Sequence, residues 1–299
     1  MRKRVQIAVA VLLVAIAGVV IWRALRPQEP VYQGKPLSSW LIASTTTGTP
    51  QAQEQANAAV RQVGTNALPT LLRMLRVKDS PLKVKLMALA DKQHVVKIRY
   101  TSAEKWNVAA FHAFLALGTN AQSAAPALPE IANENISHAS RAYAISALGA
   151  IGPPASEALP SLFRWATNAD ADVRFSAFWS LAEIGAELDR VVPLLTNALR
   201  DPYYAARAGA VEALGKLGAD AKIAVPALVV PLLTNVLHDP SLSIQRMAVE
   251  ALGKFGPDAK IAVPALVELL NASTGFLREG STNALKKIDP QAAARAGVK

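Results

Sequence analysis

The sequence predicts an all-α superhelix, a solenoid of stacked helical hairpins preceded by one transmembrane helix. Three observations support this fold class. Alanine contributes 57 of the 299 residues and aromatic residues only 6%, a composition that favours closely packed helices over sheets. The chain also repeats itself at a regular spacing, and it begins with a long uncharged segment flanked by basic residues.

The repeats are clearest in the C-terminal half of the chain. Residues 192–229 and 230–267 abut head to tail and are identical at 27 of 38 positions without a gap. A looser unit extends outward from them: A-L-G-x-[hydrophobic]-G, with a proline eight residues after the second glycine. Because one such hairpin cannot bury both of its faces, neighbouring hairpins must stack. The spacing predicts about six hairpins plus a terminal half-unit.

Each unit is predicted to form two helices. Within residues 203–217, apolar residues recur at helical spacing and give one apolar stripe. Gly218 is expected to end the first helix in the left-handed conformation, and Pro226 suits the first turn of the second helix. Asp201-Pro202 is expected to open the next helix, with Asp as the N-cap.

Units of 33–38 residues with these motifs, a following P-A-L and an Asp-Pro start resemble HEAT repeats. They are most similar to the short bacterial subtype related to phycobilin-lyase repeats, over about 52–290 and most clearly over 138–270. The resemblance implies a scaffold or protein-binding surface in which the second helices line the concave side. The contact residues expected on that side are Glu130, Arg164, Thr196, Asn197, Thr234, Asn235 and Glu268.

The N-terminal segment predicts a membrane anchor. Val5 to Trp22 is a run of eighteen uncharged residues, and a helix of that length spans about 27 Å, close to the hydrocarbon thickness of a bilayer. Arg2, Lys3 and Arg4 predict a cytoplasmic N-terminus, which places the repeats in the periplasm or outside the cell. Ala15-Ile16-Ala17 resembles a cleavage site, so secretion after signal-peptide cleavage is the alternative.

The predicted organisation has four segments. They are a signal-anchor or transmembrane segment at 1–26, a linker and capping helix at 27–51, the repeats at 52–290 and a tail at 291–299. Prolines mark the linker, and Leu37, Trp40 and Leu41 predict a short amphipathic helix that covers the apolar face of the first repeat.

The net charge of +10 is concentrated in two places. One is the N-terminal segment, where the charges indicate membrane topology. The other is a basic, irregular insertion at about 76–105, with eight basic and three acidic residues. Its lysines either face water or contact an anionic partner, such as membrane headgroups. The candidate contacts are Lys83, Lys85, Lys92, Lys97 and Arg99.

Nothing in the sequence indicates an enzyme. The absence of cysteine excludes disulfides, thiolate zinc sites and cysteine nucleophiles. None of the four histidines is part of an H-E-x-x-H motif, so no metal is expected, and no cofactor motif is found. Ser80 and Lys83 match the S-x-x-K spacing, but the companion motifs are missing, and Ser80-Pro81 is typical of a helix start.

The predicted function is a membrane-anchored, non-catalytic protein–protein interaction scaffold, with an unknown protein partner and membrane contact through Val5–Trp22. Two alternatives stay open: an accessory subunit or lyase-like enzyme of the phycobilin-lyase repeat type, and a nucleic-acid binder if the chain is cytoplasmic. No nucleic acid is expected for an exported chain. The aromatic residues of the middle repeats are interpreted as core: Trp106, Phe111, Phe114, Phe163, Trp165, Phe175, Phe178 and Trp179.

Overall fold

The computed structural model describes residues 29–92, 100–220 and 225–298. Within these ranges the secondary structure consists of α-helices, four short 3₁₀ segments and one pair of two-residue strands. The all-α class predicted from the sequence is confirmed. The sequence did not predict the strand pair or the 3₁₀ segments.

In chain order the helices are α1 (Leu37–Thr47), α2 (Pro50–Val63), α3 (Leu68–Leu75), α4 (Pro81–Lys92), α5 (Ala103–Leu117), α6 (Ala127–Asn133), α7 (His138–Ile151), α8 (Leu159–Trp165), α9 (Ala171–Ile184), α10 (Leu188–Ala198), α11 (Tyr204–Asp220), α12 (Val225–Val236), α13 (Leu242–Phe255), α14 (Val263–Ala272), α15 (Gly275–Ile288) and α16 (Pro290–Arg295). We call α2, α5, α7, α9, α11, α13 and α15 the long row; each has 14 to 17 residues. The short row consists of α1, α3, α6, α8, α10, α12 and α14, with 7 to 12 residues each.

Each short-row helix packs on the long-row helix that follows it, and each long-row helix from α5 onward packs on the next one. The described residues therefore form seven hairpins, from α1–α2 to α14–α15. The sequence predicted that each A-L-G helix pairs with the short helix after it, which gave about six hairpins and a half-unit. In two of the observed hairpins an Asp-Pro pair, Asp201-Pro202 or Asp239-Pro240, lies in the tight turn between the short helix and the next long one.

The N-terminal part of the described chain closes one end of the stack. Strands β1 (Val31–Tyr32) and β2 (Lys35–Pro36) pair antiparallel, and the turn between them has positive φ at Gln33 and Gly34, as a tight two-residue hairpin requires. The Trp40 indole donates a hydrogen bond to the Tyr32 carbonyl at 3.0 Å. Helix α1 follows, and it buries Leu37 and Leu41 as it packs against α2 and α5.

Small side chains let the long-row helices lie close together. Ala144, Ala177, Ala210 and Ala248 occupy the same position in four successive long helices, and each has 0% of its surface exposed. The separation of packed helices depends on the side chains at their contact, so alanine permits a short one. This packing explains the alanine excess of the composition.

A recurring arginine ties neighbouring hairpins together. Arg174 Nη2 lies 2.8 Å from Asp201 Oδ1, and Arg207 Nε lies 2.8 Å from Asp239 Oδ2. Both arginines also donate to carbonyl groups of the loop that precedes their own helix. The side chains are largely buried, so each pair is shielded from water and holds one hairpin against the next.

Helix α11 does not end where the sequence predicted. Gly218 lies inside the helix, which continues to Asp220, and a Cβ on Gly218 would be only 1.9 Å from Cζ of Phe255. The equivalent Gly256 does end its helix, with φ +55°. Pro257 follows Gly256 and disfavours the helical conformation there, whereas Ala219 follows Gly218 and imposes no such restriction.

No helix among residues 29–92, 100–220 and 225–298 is both long and apolar enough to cross a bilayer. The longest, α11, has 17 residues and includes charged side chains, whereas a span needs about 20 mainly apolar residues. This finding overturns the predicted location as a single-pass membrane protein. The segment Val5–Trp22, on which that prediction depended, lies outside the described residues.

Candidate binding cleft

A cleft with a volume of about 620 Å³ opens on the long row, where it crosses α5, α7, α9 and α11. Its lining combines aromatic, small and acidic side chains. They are Glu104, Phe111, His138, Ala139, Ala142, Tyr143, Ser146, Asp172, Phe175, Ser176, Trp179 and Glu212.

The repeat places these side chains on one surface. Ser146, Trp179 and Glu212 each lie six residues before the second glycine of their unit. Because the long helices pack side by side, residues at the same position form a row across them. The small side chain of Ser146 and the larger ones of Trp179 and Glu212 make that row uneven, and the cleft lies along it.

The aromatic rings of the cleft form a connected cluster. The Phe111 ring centroid is 5.8 Å from that of Tyr143 and 5.8 Å from that of Trp179, and the Trp179 contact is edge-to-face. These distances and orientations are favourable for aromatic pairs. Phe111, Tyr143, Phe175 and Trp179 are all partly exposed, so the cluster forms a wall of the cleft.

The interpretation of the aromatic residues as core is confirmed for Phe114, Trp165 and Phe178, which are at most 4% exposed. Trp106, Phe163 and Phe175 are partly exposed but pack against the core. The interpretation is wrong for Phe111 and Trp179, which line the cleft and are not among the side chains packed against the core. Phe114 and Phe178 belong to the same long-row helices as Phe111 and Trp179, so the face of the helix decides whether a ring is buried.

Three carboxylates from three helices lie in the cleft. Glu104 and Asp172 are exposed, and Glu212 is half-buried. Burial raises the pKa of the Glu212 carboxyl; Lys254 opposes this shift and Glu183 adds to it. Burial also raises the pKa of Tyr143, and the charge of Glu104 contributes. Since the described lining residues include no lysine or arginine, the cleft is acidic.

One rim of the cleft contains a possible metal-binding group. His138 Nε2 lies 3.0 Å from Asp170 and 3.3 Å from Asp172. One ligand atom from each of the three residues lies within 4.8 Å of the other two. Asp170 also caps α9, since it accepts the Asp172 N–H at 3.0 Å. Burial acts to raise the pKa of Asp170, but the hydrogen bonds from Asp172 and His138 leave it lowered. Helix capping by Asp170 and the two contacts of His138 with the carboxylates account for this group.

The contact residues predicted on the second helices lie on the short row, away from the cleft. Thr196, Asn197 and Asn235 line a smaller cavity of about 270 Å³ between α10 and α12. Thr234 instead donates to the Val230 carbonyl at 2.8 Å. The remaining three are exposed on separate helices: Glu130 on α6, Arg164 on α8 and Glu268 on α14. Their role as contacts stays a prediction.

The predicted anionic-contact residues are described only in part. Lys83 Nζ lies 3.2 Å from Asp79 and 4.5 Å from the centroid of the Tyr100 ring, whereas Lys85 is exposed. The placement of the Lys92 side chain, Lys97 and Arg99 lies outside the described residues. The hydroxyl of Ser80 accepts the backbone N–H of Lys83 at 3.2 Å, which confirms the interpretation of this S-x-x-K match as a helix start.

Comparison with known families identifies the repeat. HEAT repeats match residues 125–215 and 192–286, which together span more than half of the 299 residues. The chain belongs to the HEAT-repeat family. No curated protein matches its sequence significantly.

Solved structures with a similar fold include other helical solenoids. Kap121p bound to Nup53p is 13% identical, with a TM-score of 0.57, and the karyopherin Kap121p bound to the extreme C-terminus of the protein phosphatase Cdc14p is 14% identical, with a TM-score of 0.55. In both cases the match covers 87% of this HEAT-repeat chain and 30% of the other. The chain therefore spans about a third of the length of Kap121p, and the likeness is one of fold.

Proposed function

We propose that this HEAT-repeat chain is a non-catalytic protein-interaction scaffold that receives a segment of a partner protein in the cleft of the long row. The observation that carries the proposal is the cleft itself. It crosses four successive helices of the long row and combines partly exposed aromatic rings with carboxylates. Large aromatic anchors beside a few polar groups are typical of protein-binding surfaces.

The fold neighbours support a role in protein binding. The solved structures of Kap121p are complexes with Nup53p and with the C-terminus of Cdc14p, so solenoids of this type do receive other polypeptides. The volume of the cleft, about 620 Å³, is within the range of sites that enclose a few side chains. Its carboxylates disfavour nucleic acid, because phosphates would meet like charge.

Site-specific photo-crosslinking in cells that produce the full chain tests this proposal. A photoreactive benzoylphenylalanine replaces Ala139 in the cleft, or Asn197 on the short row as the matched position. We expect one reproducible protein adduct from the cleft position, and we expect Trp179→Ala to abolish it because the aromatic anchor is lost.

An adduct that forms only at position 197 would instead favour the short-row contacts predicted from the sequence. If neither position yields a protein adduct, the scaffold proposal is wrong.

A further inference from the structure

We infer that the cleft accepts an arginine side chain of the partner, with its guanidinium group paired to the carboxylates and its stem against the rings of Phe175 and Trp179. This inference rests on the proposed function and specifies the chemistry of the occupant. It follows from three features of the cleft: rings held in place, an excess of carboxylates along its lining, and a half-buried acid.

The rings are held in place by close packing against glycine. A Cβ on Gly149 of α7 would lie 2.6 Å from the Trp179 ring, and a Cβ on Gly209 of α11 would lie 3.0 Å from the Phe175 ring. Each ring therefore lies directly on the backbone of a neighbouring helix. Such rings are rigid before binding, which lowers the entropic cost of receiving a ligand.

The charge of the cleft selects a cation. Glu104 of α5, Asp172 of α9 and Glu212 of α11 all line it, and His138 is the one basic side chain among the described lining residues. His138 already lies within ion-pair distance of Asp172. The lining thus has more negative than positive charge, and a cationic side chain would complement it.

Among the residues that the structure describes, no basic side chain forms a close ion pair with Glu212, unlike its repeat copy. Glu250 is exposed and pairs with Arg246 on its own helix, whereas Glu212 is half-buried and burial raises its pKa. The charge of Lys254 lowers the pKa of Glu212 and that of Glu183 raises it, and Lys216 lies 3.4 Å from Glu183. A cation that enters the cleft would compensate the buried carboxylate.

Arginine fits this combination better than lysine. Its planar guanidinium stacks on aromatic faces, binds carboxylates through two hydrogen bonds and is weakly hydrated. The same arrangement occurs elsewhere in this chain, where the Arg190 guanidinium lies 4.0 Å from the centroid of the Phe163 ring and pairs with Glu187. The chain thus contains a local example of the contact that we infer for the partner.

Fluorine NMR of the full chain labelled with 5-fluorotryptophan tests the inference. Trp→Phe variants assign the five tryptophan signals. The probes are N-acetyl-arginine amide and its uncharged analogue N-acetyl-citrulline amide, each titrated to about 50 mM because a single side chain binds only in the millimolar range. We expect the Trp179 signal to shift with arginine and not with citrulline, while the Trp165 signal stays in place.

Two substitutions make the test specific. Glu212→Gln should weaken the arginine response about tenfold, as loss of a charged hydrogen-bond partner does. Glu250→Gln removes the same charge from the equivalent position of the second copy and should leave the response unchanged.

The inference is wrong if citrulline shifts Trp179 as much as arginine does, if Trp179 does not respond, or if both glutamine variants weaken the response equally. A protein adduct at position 139 together with any of these results would leave the scaffold role intact and reject arginine as the occupant. Failure of the crosslinking alone would reject the scaffold role.

Discussion

The two copies of the tandem duplication contain the same heptapeptide, A-V-E-A-L-G-K, at 210–216 in α11 and at 248–254 in α13. Its glutamate has a different environment in each copy. Glu212 is half-buried in the cleft, whereas Glu250 is exposed and pairs with Arg246. The residue at the same position of the preceding helix is Trp179 for Glu212 and Glu212 itself for Glu250. The difference therefore has two sources: the preceding hairpin, and the residue four positions earlier on the same helix, which is Arg246 in the second copy and Ala208 in the first.

The copies also differ in how they attach to their neighbours. Arg207 pairs with Asp239 across the hairpins, while Gln245, which stands at the equivalent position, donates only to the Asp239 carbonyl at 2.8 Å. Gly218 and Gly256 differ as well, since one lies inside a helix and the other ends one. These three pairs of positions allow three experiments in which each copy is the control for the other.

The largest effect on the free energy of unfolding is expected from the comparison of Arg207 with Gln245. Arg207→Ala should lower the free energy of unfolding of the full chain by about 3 kcal/mol, because it leaves the largely buried carboxylate of Asp239 without its cation. Gln245→Ala removes a neutral hydrogen bond and should cost about 1 kcal/mol. Urea denaturation measures both. Equal losses would show that the ion pair adds nothing to the link between hairpins.

The glycine comparison, Gly218 against Gly256, should change the free energy of unfolding by an intermediate amount. A second substitution should restore the lost stability at only one of the two positions. Gly218→Ala should cost about 2 kcal/mol, because its Cβ would overlap the Phe255 ring. Phe255→Leu introduces the residue that the first copy has at Leu217, and in that background the cost of Gly218→Ala should largely disappear.

Gly256→Ala should cost about 1–2 kcal/mol through its positive φ, and Phe255→Leu should not rescue it. A double-mutant cycle by urea denaturation separates the two causes. A similar cost of Gly218→Ala in both backgrounds would contradict the packing explanation.

The smallest effect on stability is expected from the comparison of Glu212 with Glu250. The pKa of Glu212 is raised in the folded state, so the folded chain holds this proton more tightly than the unfolded chain does. Its contribution to stability is therefore present at acidic pH and is lost as the pH rises through the folded pKa. Glu212→Gln should stabilise the chain by about 0.5 kcal/mol at neutral pH, a modest gain because water still screens the carboxylate.

The gain should vanish near pH 4, where Glu212 is mostly protonated in both states. Glu250→Gln should give no gain at neutral pH, and thermal unfolding at the two pH values compares the variants. A loss of stability for Glu212→Gln at neutral pH would show that the carboxylate is not strained by burial. Combined with weaker arginine binding, a gain would show that this residue serves binding at the expense of stability.

Much of the fold could be predicted from the sequence, because the repeat makes local signals recur. The helices, their A-L-G motifs and the solenoid class all follow from periodicity. The phase of the hairpins could not be read from it, since every helix has two neighbours in the chain and only packing shows which one it contacts. The end of α11 was also missed, although the sequence contains the difference that explains it: Ala219 follows Gly218, whereas Pro257 follows Gly256.

The sequence indicates only part of the cleft. Alignment of the units on their second glycine places Ser146, Trp179 and Glu212 in one row, and that signal was available in the sequence. It does not show whether the row faces solvent or core. The interpretation of Trp179 as core failed although Phe178, the residue before it, is buried, because the two side chains lie on different faces of α9 and only packing shows which face is covered.

The sequence by itself determined the class of this protein: a stack of helical hairpins from the HEAT-repeat family, with alanine at the helix contacts and glycine near the helix ends. Only the tertiary structure decided which side chains meet. Repeat patterns specify what each unit is, because helix formation depends on neighbours three and four residues away. The environment of Trp179 or Glu212 depends on residues one repeat away, and those become neighbours only when the hairpins stack.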